Sequence, residues 1–330
     1  MAVSLVVVNY FSSRELARLL DSPHGCDEVI VVDHSESAGE AEALDSLPID
    51  RLIVRNNSGY GDGLNHGVSR AKGDVVLLAN PDLVFGKGAT EALTSVVQNE
   101  KVGAAGPRFW WGTERNWLLP HAYDLSFRSE WMSRWMPRRN TLRYLTAQTK
   151  FWKTGKTIDC PVLSGAILAM RREVFTSLGG FDPKYFLFFE ENDLARRLIR
   201  SGYRLKMVPE AEIHHGVGCS LGPSTYEDAH LQSLQRFRHL HFPLWYRLLY
   251  PHPPPEAGLA WKERSSVALH SEDVLLLSPH ASFIPSAARL VREGDTLTAL
   301  PPIPADQGSR FHLAVLSGST LGYAGEIQVE

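Results

Sequence analysis

Over the first hundred positions, apolar residues come in short unbroken runs separated by amphipathic stretches. The runs "VSLVVVN" (3–9), "DEVIVVDHS" (27–35), "DRLIVRN" (50–56) and "DVVLLAN" (74–80) are strand-length and rich in β-branched residues. Between them, "SSRELARLLDS" (12–22) and "AGEAEALDSL" (38–47) have helical spacing, with Ser12 or Ser13 placed to cap the first, and "GYGDGLNHGVSRAK" (59–72) runs from a glycine loop into a helix. Strands apolar on both faces and alternating with helices predict βαβ units and an α/β sheet covered on both sides. Such sheets bind ligands beyond the carboxyl ends of their strands. The residues standing there are Asn9, Asp33, Asn56, Asn57, Asn80 and Asp82, all short and polar.

One of these strand ends is abrupt. In "GDVVLLANPDLVFG" (73–86) the run Val75–Ala79 stops at Asn80-Pro81-Asp82. Taken alone, the tripeptide suits an ordinary turn. A carboxylate held at a strand end by a proline-stiffened turn also suits the role of ligand for a divalent cation.

Beyond residue 100 the pattern changes. "KVGAAGPRFWW" reads as strand and turn, "VLSGAILAMRR" (162–172) as a strand, "EENDLARRLIRSGY" as a helix ending at Gly202, and "RLKMVPEAEIHHGVG" as extended chain. A helical 224–242 leads to the proline cluster "PHPPPE" (251–256), which reads as a linker. The predicted division is a catalytic-type domain over 1–250, with an insertion at 110–156, and a small β-rich module over 257–330. That module follows from "DVLLLS", "FHLAVLS" and "GEIQVE", short apolar runs broken by Pro and Gly.

Composition narrows the class. The 330 residues are 44% hydrophobic and 22% charged with a formal net charge of −3, which disfavours nucleic acid as a partner. Three scattered cysteines, Cys26, Cys160 and Cys219, make neither a disulfide framework nor a zinc knuckle and fit a reducing compartment. The apolar start "MAVSLVVVNYF" has no basic region before it and is too short to span a bilayer, so it reads as a buried strand and the expected location is cytoplasmic. "NYFSSRE" stands where a dinucleotide fold needs G-x-G-x-x-G, and "GKGAT" (86–90) lacks the rest of a phosphate loop. Metalloprotease and nucleophile-elbow patterns are missing as well.

In order and at matching separations, "VVVNYFSS", "VIVVDHSES", "NNSGYGDGLNHGVSRAKGDVVLLANPD" and the half running from "LSGAILAMRREVFTSLGGFDPKYFLFFEENDLARRLIRSGYRLKM" to "HHGVGCS" resemble the family 2 glycosyltransferases, in particular a rhamnosyltransferase-like branch. The resemblance covers about residues 3 to 220. It implies a GT-A fold, a mixed α/β sheet covered by helices, and inverting transfer of a sugar, with rhamnose from dTDP-rhamnose the natural candidate, from a nucleotide diphosphate donor to a hydroxyl of a polysaccharide or glycolipid. A catalytically silent sugar-binding or scaffold protein of the same fold, or a sugar nucleotidyltransferase, would share the nucleotide half.

The resemblance also implies roles. Asn80-Pro81-Asp82 stands in place of the family's D-x-D motif, so Asp82 would hold Mg2+ or Mn2+ on the donor diphosphate, with Asn80 assisting. Asp33 matches the aspartate that accepts from the nucleotide base, which favours a pyrimidine; the plain alternative is a helix cap. Asn9 and Tyr10 match the loop lining the nucleoside. Asn57, Gly59, Gly61, Gly63 and Asn65 fall in the donor-side glycine loop. Glu190-Glu191 stand where the family has a Glu-Asp pair whose second member is the general base, which makes Glu191 the expected base; Glu in place of Asp adds a methylene and leaves Glu190 as the alternative. Acidic residues also favour a helix N-terminus, a sufficient reason for Asp193. His214 and His215 follow "EAEI"; neighbours on a strand face opposite ways, so one of them, His215 by its spacing to Ser220, would complete the metal sphere or contact the diphosphate. Trp110, Trp111, Gly165 and Asp193 are the acceptor-side candidates.

The segment 110–152 holds six of the eight tryptophans, and 121–156 has eight basic residues against two acidic ones. It has three readings: a lid over a saccharide or lipid-linked acceptor, a surface seated on anionic membrane in a peripheral contact, or ordinary packing.

Overall fold

The computed structural model describes residues 1–216, 223–254, 269–279, 286–292, 295–297, 300–305 and 309–328, without the side chains of 223–227. Cys219, Ser220 and the end of the proline cluster lie outside these. The chain divides into two compact units: the first is Met1–Arg108, Ala122–Asp124 and Lys156–His241, the second Phe109–His121, Leu125–Gly155 and Phe242–Glu330.

The first unit begins with β1 (Val3–Asn9), α1 (Ser13–Asp21), β2 (Glu28–Asp33), α2 (Ala38–Asp45), β3 (Arg51–Val54), α3 (Tyr60–Arg70) and β4 (Val75–Ala79). Every residue of β1 and β4 is buried, as expected for strands covered on both faces. β1 pairs in parallel with β2 and β4, and β2 with β3, so Asn9 and Asp33 finish side by side as register partners. α3 lies close on the sheet because it is glycine-rich: a Cβ on Gly67 would stand 2.3 Å from Val6 Cγ1.

After β4 the chain turns through Asn80-Pro81-Asp82 into β5 (Leu83–Phe85), then α4 (Ala89–Val97) and β6 (Val102–Trp111). Among the described residues the sheet order is β3-β2-β1-β4-β8-β6-β9-β5, with β8 (Ile167–Arg171) antiparallel to β4, and β7 (Ile158–Cys160) and β5 both antiparallel to β9 (Arg204–His215). The strand expected over 162–172 is thus shorter, starting at Ile167; Asn80 N–H donates to Ala166 O at 2.8 Å and extends the pairing by one step. α7 (Arg172–Ser177) and α8 (Glu190–Arg200) pack on the sheet, α9 (Pro223–His241) meets the segment before α8 through Ser233 Oγ to Leu187 O at 2.7 Å, and Gly202 ends α8 with φ +86°.

The second unit contains α5 (Phe127–Trp135), α6 (Pro137–Lys153), α10 (Leu244–Leu249) and a separate antiparallel sheet. That sheet is ordered β11 (Ala287–Leu290), β10 (Val274–Ser278), β12 (Arg310–Ser317), β13 (Thr320–Gln328). The grouping departs from the expected boundaries, because 109–121 and 125–155 belong with the C-terminal module. Side chains supply the reason. Trp117 is fully buried among Leu275, Phe311, Leu313 and Val315, its Nε1–H donating to Pro302 O at 3.2 Å. Leu118 bridges to Ala288 of β11.

Candidate functional site

At the carboxyl ends of β1, β2 and β4 the first unit opens into a cleft of about 430 Å³, within the range of small-molecule sites. Tyr10, Asn57, Gly59, Asn80, Asp82, Gly165, Glu190, Glu191 and His215 all line it. Residues far apart in sequence therefore meet in one place.

Asp82 and His215 are brought together by strand register. Leu83 of β5 pairs with His215 of β9, and Gly216 N–H donates to Asp82 O at 3.0 Å. Asp82 Oδ1 lies 3.3 Å from His215 Nε2, is buried, and accepts no hydrogen bond from a described residue. A buried carboxylate oxygen without a donor is costly unless something else completes it. An oxygen and an imidazole nitrogen at this spacing suit a hard or borderline divalent ion whose other positions are filled by ligand oxygens. No cluster of three or more His, Cys, Asp or Glu capable of holding a metal occurs among the described residues. His214 alternates to the other face of the strand, as its neighbour's placement requires.

Glu190 and Glu191 open α8 behind an unusual entry. Phe188 and Phe189 both have left-handed backbones, φ +71° and +65°, a conformation that side-chain-bearing residues resist. Glu190 is 4% exposed and its Oε2 finds no partner among the described residues. Burial, then the neighbouring Glu191 charge, pushes the Glu190 carboxyl well above the usual range. Glu191 is half-buried; burial raises it too, against hydrogen bonds that include Asn192 Nδ2–H to Oε1 at 2.9 Å. A Cβ on Gly165 would lie 3.3 Å from Glu191 Cβ, so the glycine leaves Glu191 its room.

The glycine loop is docked onto this segment. Gly59 has φ +102°, and Tyr60 N–H donates to Phe186 O at 2.9 Å while Tyr60 Oη donates to Gly165 O at 3.1 Å. Burial first, then the charges of Glu190, Asp82 and Glu191, push the Tyr60 hydroxyl well up, so it stays a neutral donor.

Asn9 and Asp33 are fully buried at the base of the strand ends. Asp33 Oδ1 accepts from Asn9 Nδ2 at 2.8 Å and from Ser35 Oγ at 2.7 Å; Oδ2 accepts nothing from the described residues.

Other expected residues lie away from the cleft lining. Asn65 clamps the backbone of Phe181 from both sides, Nδ2–H to Phe181 O and Phe181 N–H to Oδ1, each 2.8 Å, which ties α3 to the turn after α7 instead of facing the cleft. Gly63 sits against Val8 and His34, where its missing side chain allows helix–sheet contact; Gly61 likewise abuts Phe181. Asp193 lines a separate pocket, bonded to Arg197 Nε and His241 Nε2 at 2.8 Å each; burial opposes its ionisation, yet these partners hold it below the usual carboxylate range. Trp110 and Trp111 belong to the second unit, where Trp111 meets Phe311 edge-on at 5.7 Å.

Tyr60, His34, Ser164 and Phe186–Phe188 also line the cleft and were not anticipated. His34 follows directly on a strand end, and the aromatic run before an acidic helix start was the visible sign of the other group. The thiols of Cys26 and Cys160 are pushed up to about 12 by burial, which leaves them inert.

Comparison with known proteins identifies the family and the fold. A family model described as "Glycosyltransferase like family 2" matches residues 2–238. The chain is 28% identical over 300 residues to an N-acetylglucosaminyl-diphospho-decaprenol L-rhamnosyltransferase of Mycobacterium tuberculosis, covering 81% of this chain and 91% of that one. It is 27% identical over 196 residues to an O-antigen chain rhamnosyltransferase of Salmonella anatum, covering 57% and 56%. A solved structure of GalNAc-T7 with UDP, GalNAc and Mn2+ superposes with a TM-score of 0.50 at 16% identity, covering 72% of this chain and 48% of that one, a likeness of fold. With the family match spanning most of its length, this chain belongs to the family 2 glycosyltransferases and has the GT-A fold.

Proposed function

We propose that this protein is an inverting glycosyltransferase that moves rhamnose from dTDP-rhamnose to a hydroxyl of a lipid-linked or polymeric saccharide, working in the cytoplasm. The observation that carries the reading is the convergence of Asp82, His215, Glu190 and Glu191 on one cleft, with a buried Asp82 oxygen that has no donor among the described residues. The named rhamnosyltransferases among its relatives support the choice of sugar, and the decaprenol-linked substrate in one of their names supports the acceptor class.

Asp82 and His215 would hold Mg2+ or Mn2+, which supplies Lewis-acid neutralisation of the donor diphosphate. Asn80 and the Tyr60 hydroxyl orient polar groups at the cleft floor. Asp33 Oδ2, which has no partner among the described residues, is the acceptor we assign to a pyrimidine ring N–H. Glu191 takes the proton of the acceptor hydroxyl. That oxygen attacks the anomeric carbon as the bond to the diphosphate oxygen breaks, and the electron pair leaves with the diphosphate. One displacement inverts the centre. Glu191 is preferred over Glu190 because it is the less enclosed of the two, while its raised pKa brings it nearer the operating pH of a base.

The test is a pair of substitutions measured for donor binding and for transfer. Asp82→Asn weakens Mn2+-dependent binding of the nucleotide sugar by roughly tenfold or more and leaves metal-free binding alone. Glu191→Gln keeps donor affinity and lowers transfer by about a hundredfold or more. Full transfer in the Glu191 variant removes it as the base.

A further inference from the structure

The second unit exposes a face that its own packing leaves uncovered. On α5, Phe127, Trp131 and Trp135 recur every fourth residue and are all exposed, Trp135 by 58%. α10 lies alongside. Its Trp245 meets Phe127 at 6.2 Å, and Tyr250, just beyond its end, meets Trp135 at 6.4 Å. Its inner residue Tyr246 is fully buried, with its hydroxyl on Glu130 Oε1 at 3.2 Å. Its outer residues Leu244, Trp245, Leu248 and Leu249 are 55–72% exposed. Two helices therefore present one continuous aromatic and aliphatic surface.

Such a surface on a soluble unit needs an occupant. The charge around it selects one. Arg128, Arg138, Arg139 and Arg143 are exposed on α5 and α6, Arg134 stacks over Tyr250 at 5.0 Å, and 121–156 has eight basic residues against two acidic ones. A second copy meeting this face about a twofold axis would set two basic segments against each other. An anionic lipid surface instead takes Trp and Leu among its acyl chains and Arg among its phosphates. α10 has six residues, about 9 Å of helix, far less than a bilayer, and no described helix is long and apolar enough to cross a membrane. The face is built to rest on a surface.

We infer that α5 and α10 form a peripheral membrane-docking platform for anionic bilayers. The inference goes beyond the donor-cleft reading and does not depend on it. Sedimentation of the full chain with phosphatidylcholine vesicles, with and without about one-third phosphatidylglycerol, tests it. The wild type sediments with the anionic vesicles, and tryptophan emission shifts to the blue. The Trp135→Ser/Leu248→Ser/Leu249→Ser variant loses at least about tenfold in partitioning, and because all three side chains are exposed its melting temperature stays unchanged. Arg138→Glu/Arg139→Glu weakens binding in a way that added salt masks. Nucleotide-sugar binding, measured separately, keeps a failed cleft assignment distinct from a failed platform. Equal sedimentation of wild type and the triple variant overturns the inference. So does a wild-type dimer that the triple variant dissolves without any vesicle binding, which would assign the face to a second copy.

Discussion

Gly59→Ala should damage the cleft more than its size suggests. Gly59 has φ +102° and ψ 162°, a region open to glycine almost alone, so any side chain there costs about 1–3 kcal/mol in backbone strain. An added Cβ would also stand 2.5 Å from Phe186 O and 2.8 Å from Phe186 Cα. Both are backbone atoms, which cannot swing away as a side-chain tip does. Together the two effects amount to about 3 kcal/mol or more, or roughly 6–12 °C in melting temperature for a unit of this size. The chain has one way to relieve the contact, by pushing back the 186–189 segment, and that segment leads into Glu190 and Glu191. Stability then falls less while transfer falls by tenfold or more. Gly39→Ala is the control. Nothing lies within 4 Å of its Cβ position, it sits in α2, and the same added methyl should stabilise by about 0.5 kcal/mol. Urea melts with donor titrations read both quantities. A Gly59 variant with wild-type stability and wild-type transfer would refute the argument that the glycine loop braces the carboxylate pair.

Other outcomes follow from single groups. The raised Glu190 pKa means that the folded chain holds this proton more tightly than the unfolded one. Its contribution is complete below the ordinary glutamate value and is lost as pH rises toward the raised one. Wild-type melting temperature should therefore fall, as pH rises above the ordinary glutamate value, more steeply than that of Glu190→Gln; parallel curves would contradict this. A raised Glu191 must lose its proton to act, so transfer should drop as pH falls through that raised value, and a rate flat into acid would count against the residue. Asn65→Ala leaves the Phe181 backbone N–H and C=O unpaired and should cost about 1–3 kcal/mol in a urea melt. Trp117→Ala empties the core of the second unit and should cost about 3–5 kcal/mol, seen as early melting of that unit by calorimetry.

The first half of the fold is legible because its signals are local. β1 and β4 are unbroken apolar runs, and the polar residues that end them fall where a parallel sheet gathers its ligands. Less legible is what depends on distant pairing. Leu118 meets Ala288 across 170 positions, and no periodicity near residue 118 announces a partner so far along the chain. Asn65 illustrates a different limit. A polar residue in a glycine-rich helix start looks donor-facing, yet the strongest demand on it is the backbone at Phe181, which no pattern around residue 65 contains. Gly63 falls in the donor-side glycine loop by sequence, yet its missing side chain makes room for the protein's own Val8 and His34. The two positive φ angles at Phe188 and Phe189 are the least readable of all, because aromatic residues are poor choices for them.

Those two phenylalanines carry an evolutionary cost. A glycine or asparagine at either place would sit more comfortably, so the chain forgoes on the order of 1 kcal/mol at each. Selection for heat tolerance alone would discard them early. Their place beside Glu190 sets thermostability against turnover, and a directed-evolution campaign should freeze residues 188 and 189 before it begins.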